Sequence, residues 1–288
     1  MIKKDFPSSV QIQTSNKCNA ACRFCPYEIT SKNEDFQLMD WNLYKKIIDE
    51  CSEHDVKTIH PFLMSEPLLN PNLDKYINYA KEKNQKTTIN IFTNGSLLTK
   101  KNSEKLLNSK IDEVIFSFNG ATKETYEKEM KNLDFEKTKE RITNFIKLAK
   151  EKKPSLQIAV HMLKLSIEQK EVEIIKNYWN SLGVAVHLHK FENRGGNVSA
   201  EDAVSNQGVK KIPCSRLFNQ IYILANGDVI LCCVDWKKEV ILGNLKENSI
   251  KEVWNNNKYK NYQQKHLEGK YSELKLCNVC NYNEVLEN

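Results

Sequence analysis

Residues 86–118 read KTTINIFTNGSLLTKKNSEKLLNSKIDEVIFSF. Two apolar, β-rich runs, KTTINIFT (86–93) and EVIFSF (113–118), flank an amphipathic stretch that opens near Ser103, after Thr99. Strand, helix, strand over this length is a βαβ unit, because parallel strands need a crossover that a helix supplies. The same alternation extends in both directions. VQIQT (10–14) and VKTIHPFL (56–63) precede it as strands, with helices from Trp41 to Glu53 and over LDKYINYAKEK. Helical segments from Thr122 to about Lys152 follow, with Asp134 as an internal cap. LQIAVHML (156–163), a helix over Gln169–Leu182 and VAVHLHKF (184–191) close the series.

Six strand–helix repeats predict an α/β fold with a parallel sheet covered by helices. They are too few for an eight-unit closed barrel, so the expected architecture is an open partial (β/α)6 TIM-like barrel. Ligands in such sheets bind at the carboxyl ends of the strands. The pattern changes after Arg194-Gly195-Gly196. Residues 195–213 are polar and loop-like, and QIYILANGDVILCCV then offers a hairpin through Asn226-Gly227. Short helical segments, SIKEVWNN and YKNYQQKHLE, lead to CNVC. The division is therefore a barrel over 1–205 and a small α+β unit over 206–288.

With 40% hydrophobic and 28% charged residues in 288, the chain reads as an ordinary soluble globular protein. No apolar run spans a membrane and MIKKDFPSSVQIQT lacks a signal peptide's apolar segment, so a cytoplasmic location is expected. The net charge of +6 comes from lysines and acids that alternate, as in KETYEKEMK, which marks solvated helix faces rather than a nucleic-acid surface.

Nine cysteines in a reducing compartment point to metal or catalytic roles rather than disulfides. Cys51 stands alone on a helix and reads as a buried thiol. Cys18-x3-Cys22-x2-Cys25 puts three thiolates on one short loop after the first strand. Three thiolates suit an iron–sulfur cluster with one corner left open; zinc would need a fourth protein ligand, for which His54 and His60 are candidates at unusual spacing. Cys214, Cys232, Cys277 and Cys280 supply a full set for a second cluster, with a zinc ribbon as the alternative. Cys233 is left over beside Cys232.

CNAACRFCP, with Phe24 before the third cysteine, resembles the signature of the radical S-adenosylmethionine (SAM) superfamily. In that family the open iron is chelated by the amino and carboxylate groups of SAM, and one electron from the cluster splits SAM into methionine and a 5′-deoxyadenosyl radical. Ser65-Glu66-Pro67 resembles the turn that binds the methionine amino group, with Met64 and Ser65 replacing two glycines. Asn94, Ser117 and Asn119, at later strand ends, resemble positions lining the SAM ribose and carboxylate, and His161 and Met162 are placed to flank adenine. Cys214, Gly227-x4-Cys232 and Cys277-x2-Cys280 resemble the SPASM/twitch extension in its shorter form, with one auxiliary cluster. The resemblance implies two 4Fe-4S clusters, SAM, and a flavodoxin- or ferredoxin-type electron donor.

The substrate radical then has two fates. Loss of an electron to the auxiliary cluster and a proton to a base gives oxidation; a hydrogen atom from a thiol, for which Cys233 is the candidate, gives an epimer. Lys190, Glu192 and Arg194, after the sixth strand, are candidate substrate contacts or proton-transfer groups. The first strand begins within about ten residues of Met1, so a preceding peptide-recognition module is not expected. That favours a small polar substrate such as a sugar or aminocyclitol. Radical modification of a ribosomally made peptide is the alternative, and a simple iron–sulfur electron carrier is the reading from another class.

Overall fold

In the computed structural model, which describes residues 4–164, 169–198 and 213–282, the β-rich runs pair side by side. β1 (Ser9–Ile12), β2 (Thr58–His60), β3 (Thr88–Thr93), β4 (Glu113–Ser117), β5 (Gln157–Lys164) and β6 (Ala185–Lys190) lie parallel in chain order. Between them run α1 (Trp41–Ser52), α2 (Leu73–Lys83), α3 (Lys100–Asn108), α4 (Lys123–Glu129), α5 (Phe135–Lys152) and α6 (Gln169–Ser181). Local caps fix where helices start. Asp40, Thr99, Thr122 and Asp134 each accept a backbone N–H of the first turn, so α3 opens at Lys100, a residue after its cap, rather than near Ser103.

The sheet curls into a partial TIM-like barrel whose strands alternate between two environments. Val10, Ile59, Ile89, Ile91, Val114, Phe116 and Val160 face the helices and are wholly buried. Phe116, for example, meets Phe145 of α5 edge-on at 5.8 Å. Each such side chain stabilises the fold by roughly 1.5–3 kcal/mol. The opposite row, in register across the strands, holds Gln11, His60, Asn90, Phe92, Ser117 and His161. Low in this lumen, Ser9 meets His60 Nε2 (3.0 Å), His60 Nδ1 meets Asn90, and Asn90 donates to Glu113 (2.9 Å). The polar base of the barrel is thus internally satisfied.

The second unit contributes α7 (Ser215–Asn219), β7 (Gln220–Ile223), β8 (Asp228–Ile230), β9 (Ile241–Asn244), α8 (Ile250–Asn255), α9 (Asn257–Leu267) and α10 (Lys275–Val279). It is not a detached lobe. β7 pairs parallel to β1, giving one nine-stranded sheet in the order β9-β8-β7-β1-β2-β3-β4-β5-β6. Without β7 the first barrel strand would leave its backbone groups unpaired along one edge. The expected boundary at 205/206 lies outside the described residues.

Two further contacts weld the units. Lys46 of α1 donates to the carbonyls of Leu245 (2.7 Å) and Asn248 (2.9 Å), while Glu50 accepts the N–H groups of Ile250 (2.8 Å) and Lys251 (2.9 Å) at the start of α8. After β6, Arg194, Gly195 and Gly196 all take left-handed backbone (φ 50°, 67° and 81°). A Cβ on Gly195 would lie 2.7 Å from Leu276 Cδ1 and 3.3 Å from Val234 Cγ2, so this turn seats directly on α10. Among the described residues no helix is long and apolar enough to cross a membrane. Gly195→Ala should lower stability by about 1–3 kcal/mol, from left-handed strain plus overpacking, measured by urea unfolding.

Candidate functional site

The loop carrying Cys18, Cys22 and Cys25 leaves β1 at its carboxyl end and is pinned on both flanks. Ala21 and Cys22 form a short antiparallel ladder with Met130 and Lys131 between α4 and α5. Arg23 donates its N–H to the Glu129 carbonyl (2.9 Å) and its guanidinium to the Glu129 carboxylate (2.6 Å). Burial pushes the Cys18 thiol up to about 12, with Glu66 and Cys25 adding to it. Burial likewise raises Cys22, reinforced by Cys25 and Cys18, and raises Cys25 against the opposing pull of a Tyr27 hydrogen bond and Arg194. The bare thiols are held protonated, and only a bound cation would release their protons.

Glu66 is the hub beside this loop. Its carboxylate is buried and accepts three bonds: Thr93 Oγ1 (2.6 Å), Asn94 N–H (2.9 Å) and Leu68 N–H (3.1 Å). Its own N–H donates to the Lys17 carbonyl (2.9 Å), tying the turn to the cysteine loop. Burial raises its pKa to about 7, and the three donors work against that rise. Two oxygens offer about four acceptor positions, so one remains for a further donor. Met64 holds φ 53°, the left-handed backbone that a glycine would supply, so the turn keeps its shape despite the substitution. Ser65 Oγ is buried with no partner among the described residues.

Asn94 reaches the cysteine loop directly. Its Nδ2 donates to Asn19 Oδ1 (3.0 Å), and its Oδ1 accepts from Ser96 N–H (2.9 Å) and Oγ (2.6 Å). Asn19 and Ser96 were not foreseen from the sequence; an Asn inside the cysteine spacing was the available signal. Ser117 lies in the lumen row in register with His161. Asn119 is buried, and its Oδ1 accepts the Leu163 N–H (2.7 Å), so it braces two strand ends. Phe24 is partly buried against the core.

Met162 is corrected: it is 1% exposed and shares the helix-facing parity of Val160, so it cannot flank a ligand in the lumen. His161 faces inward instead. Its ring lies 5.1 Å from Phe92, 5.1 Å from His187 and 4.4 Å from His189. Burial lowers its pKa to about 4, helped by His189 and His187, so it is neutral near pH 7.

Cys214, Cys232, Cys277 and Cys280 all line one cavity of about 590 Å³, counting its solvent-open part, together with Arg216, His266 and Tyr271. Cys233 is not among its lining residues. The Cys232–Cys233 pair sits at the turn after β8, and both residues are partly buried. Among the described residues no three His, Cys, Asp or Glu side chains converge as they would on a single ion. Zinc would draw its ligands to about 2.3 Å from one point; thiolates of a cluster bind separate irons. Three thiols beside an orphaned serine hydroxyl, and four around one cavity, fit an open cluster with a polar ligand and a closed one.

Glu192 is the second correction. Its carboxylate takes both arms of Arg216 (2.9 and 2.8 Å) and lies 3.7 Å from Arg194. Burial opposes ionisation, but Arg216 and then Arg194 hold its pKa below the usual carboxylate value, which is wrong for a proton acceptor. Arg194 remains half-buried, close enough for its charge to act on Cys25 and Cys233, and Lys190 is exposed.

The family model of the Radical SAM superfamily matches residues 12–173, and that of the SPASM iron-sulfur cluster-binding domain matches 214–281. The chain is 23% identical to an S-adenosyl-L-methionine-dependent 2-deoxy-scyllo-inosamine dehydrogenase of Niallia circulans, over 95% of this chain and 92% of that protein. In fold it is similar to BtrN in complex with AdoMet and 2-DOIA (TM-score 0.68, 22% identity, 96% of this chain and 94% of that one). It is also similar to Streptococcus suis SuiB bound to precursor peptide SuiA (TM-score 0.76, 14% identity, 96% and 71%). After anaerobic reconstitution with iron and sulfide, Cys232→Ala should lose the iron of the second site while Cys233→Ala keeps it, measured by iron content.

Proposed function

The chain belongs to the radical SAM superfamily, and from that membership we propose that it abstracts a hydrogen atom from a small polar substrate, a sugar or aminocyclitol, and oxidises it. Its cofactors are S-adenosyl-L-methionine and 4Fe-4S clusters. When bound, cluster and SAM together supply a 5′-deoxyadenosyl radical by one-electron cleavage. Cys18, Cys22 and Cys25 would hold the first cluster and leave one corner to SAM. Glu66 would accept an N–H of the SAM amino group at its remaining acceptor position, with Ser65 Oγ as a further polar contact. Asn94 and Ser117 would border the same ligand, Asn119 would hold the strand ends beneath it, and Phe24 would pack behind the loop.

The observation that carries the oxidative reading is the single cavity lined by Cys214, Cys232, Cys277 and Cys280, a full ligand set for one auxiliary cluster that can receive an electron. Likeness to a dehydrogenase over nearly the whole of both chains supports it. His161, His187 and His189 share the lumen row, and the neutral imidazole of His161 can both donate to and accept from hydroxyls. Arg194 and Lys190 stand at the same strand end. We place the protein in the cytoplasm, where its nine cysteines escape disulfide formation and a flavodoxin- or ferredoxin-type donor could supply the electron.

A peptide substrate is the second reading. Among the described residues β6 pairs on one side only and its side chains are largely exposed, an edge to which an extended peptide could add.

Anaerobic turnover of 2-deoxy-scyllo-inosamine and related aminocyclitols in deuterated buffer tests the proposal. Formation of 5′-deoxyadenosine with loss of two hydrogens from substrate is expected. Deuterium uptake without other mass change would instead assign epimerisation, with Cys233 as donor only if Cys233→Ala abolishes that uptake while SAM cleavage persists, and absence of 5′-deoxyadenosine on reduction with SAM would leave a simple electron carrier.

Because ionised Glu66 accepts an N–H of the SAM amino group more strongly than protonated Glu66 does, SAM binding should strengthen as pH rises through about 7. Glu66→Gln should weaken binding on the order of tenfold or more and flatten that pH profile, read by calorimetric titration of reconstituted protein.

A further inference from the structure

The ion pair where β6 meets the second unit has no part in the reaction described above. We infer that Arg216 and Glu192 set the reduction potential of the cluster held by Cys214, Cys232, Cys277 and Cys280. Arg216 acts as a fixed positive charge in the cavity wall, and Glu192 as the counter-charge that tempers it. The inference rests on the second cysteine site holding a cluster, as proposed.

Arg216 stands two residues after Cys214, in α7, and lines the same cavity as all four thiols. Its guanidinium lies over the Tyr282 ring, 3.5 Å from Cζ to the centroid, and forks onto both oxygens of Glu192 (2.9 and 2.8 Å). The side chains are only 15% and 22% exposed, so water screens them poorly. A planar fork held on a ring and on a carboxylate is fixed in place, unlike a surface lysine.

Stability alone is a weak reason for such a pair. Desolvating two charges costs several kcal/mol each, and apolar replacements of similar volume are often neutral or better. A cluster gives the charge another purpose. Potentials of iron–sulfur clusters depend on net charge, hydrogen bonds and exposure. Reduction adds one negative charge, which a nearby buried cation stabilises more than it stabilises the oxidised form. Arg216 therefore raises the potential, and Glu192 lowers it by offsetting Arg216.

The two charges thus make predictions of opposite sign. The test uses full-length protein with Cys18, Cys22 and Cys25 replaced by Ala, reconstituted anaerobically so that only the second site holds iron. It is titrated with dithionite while the reduced-cluster resonance is followed by electron paramagnetic resonance. Arg216→Gln should make one-electron reduction about tenfold less favourable, about 59 mV lower. Glu192→Gln should shift the potential upward, Arg216→Lys should stay near the parent because the charge remains, and the double Gln variant should fall between the single ones.

Shifts of the same sign in the two single variants, or no shift, overturn the inference. If Arg216→Gln fails to retain iron, Glu192→Gln alone decides: an upward shift supports the assignment, and a null or downward shift overturns it. A parent protein that takes up no iron at the second site overturns both this inference and the cluster assignment beneath it; a loaded cluster with unmoved potential overturns only this one.

Discussion

β1 is paired on both edges, with β2 on one side and β7 on the other, and the remainder of the molecule is arranged around that fact. The strand that launches the first cysteine loop is also the seam to which the second cysteine unit is hydrogen-bonded. Gln13, one residue beyond β1, extends the seam: its Nε2 donates to the Leu63 carbonyl (3.1 Å) and its Oε1 accepts the Ala225 N–H (3.2 Å). One amide thereby holds the chain just before Ser65-Glu66 against the hairpin that leads to Cys232. A rigid frame suits clusters, whose ligands must keep fixed separations through a change of charge.

Within that frame the polar groups near the first cysteine loop are mostly committed to one another. Glu66, Thr93, Asn94, Asn19 and Ser96 form a chain of hydrogen bonds that crosses three loops. Such a network is favourable only when each member is satisfied, because an unpaired buried polar group costs about 1–3 kcal/mol. Ser65 Oγ departs from this rule, and its place beside Glu66 makes it a natural partner for a polar ligand. The site is thus built as a cradle whose walls are settled before the ligand arrives.

Glu192 and Arg216 show how a charge can be present without being chemically available. From its position after β6, Glu192 has the right address for proton transfer, yet a cation from the second unit consumes it. The same tertiary contact that removes one role creates the conditions for another, since it carries a guanidinium into the wall of the second cysteine cavity.

The sequence by itself determined the cysteine spacings, the strand–helix alternation, the Asn226-Gly227 hairpin and the cap at Asp134. All are encoded over a few residues, where covalent geometry, side-chain period and local capping act without help from the rest of the chain. Even Met162 was decidable in principle, since its parity with Val160 separates it from His161. Only the tertiary structure decided that β7 covers the open edge of β1 and that Arg216 claims Glu192. Those outcomes join residues far apart in the chain. They are settled by which surfaces meet once the sheet has curled, a competition among partners that no local pattern records.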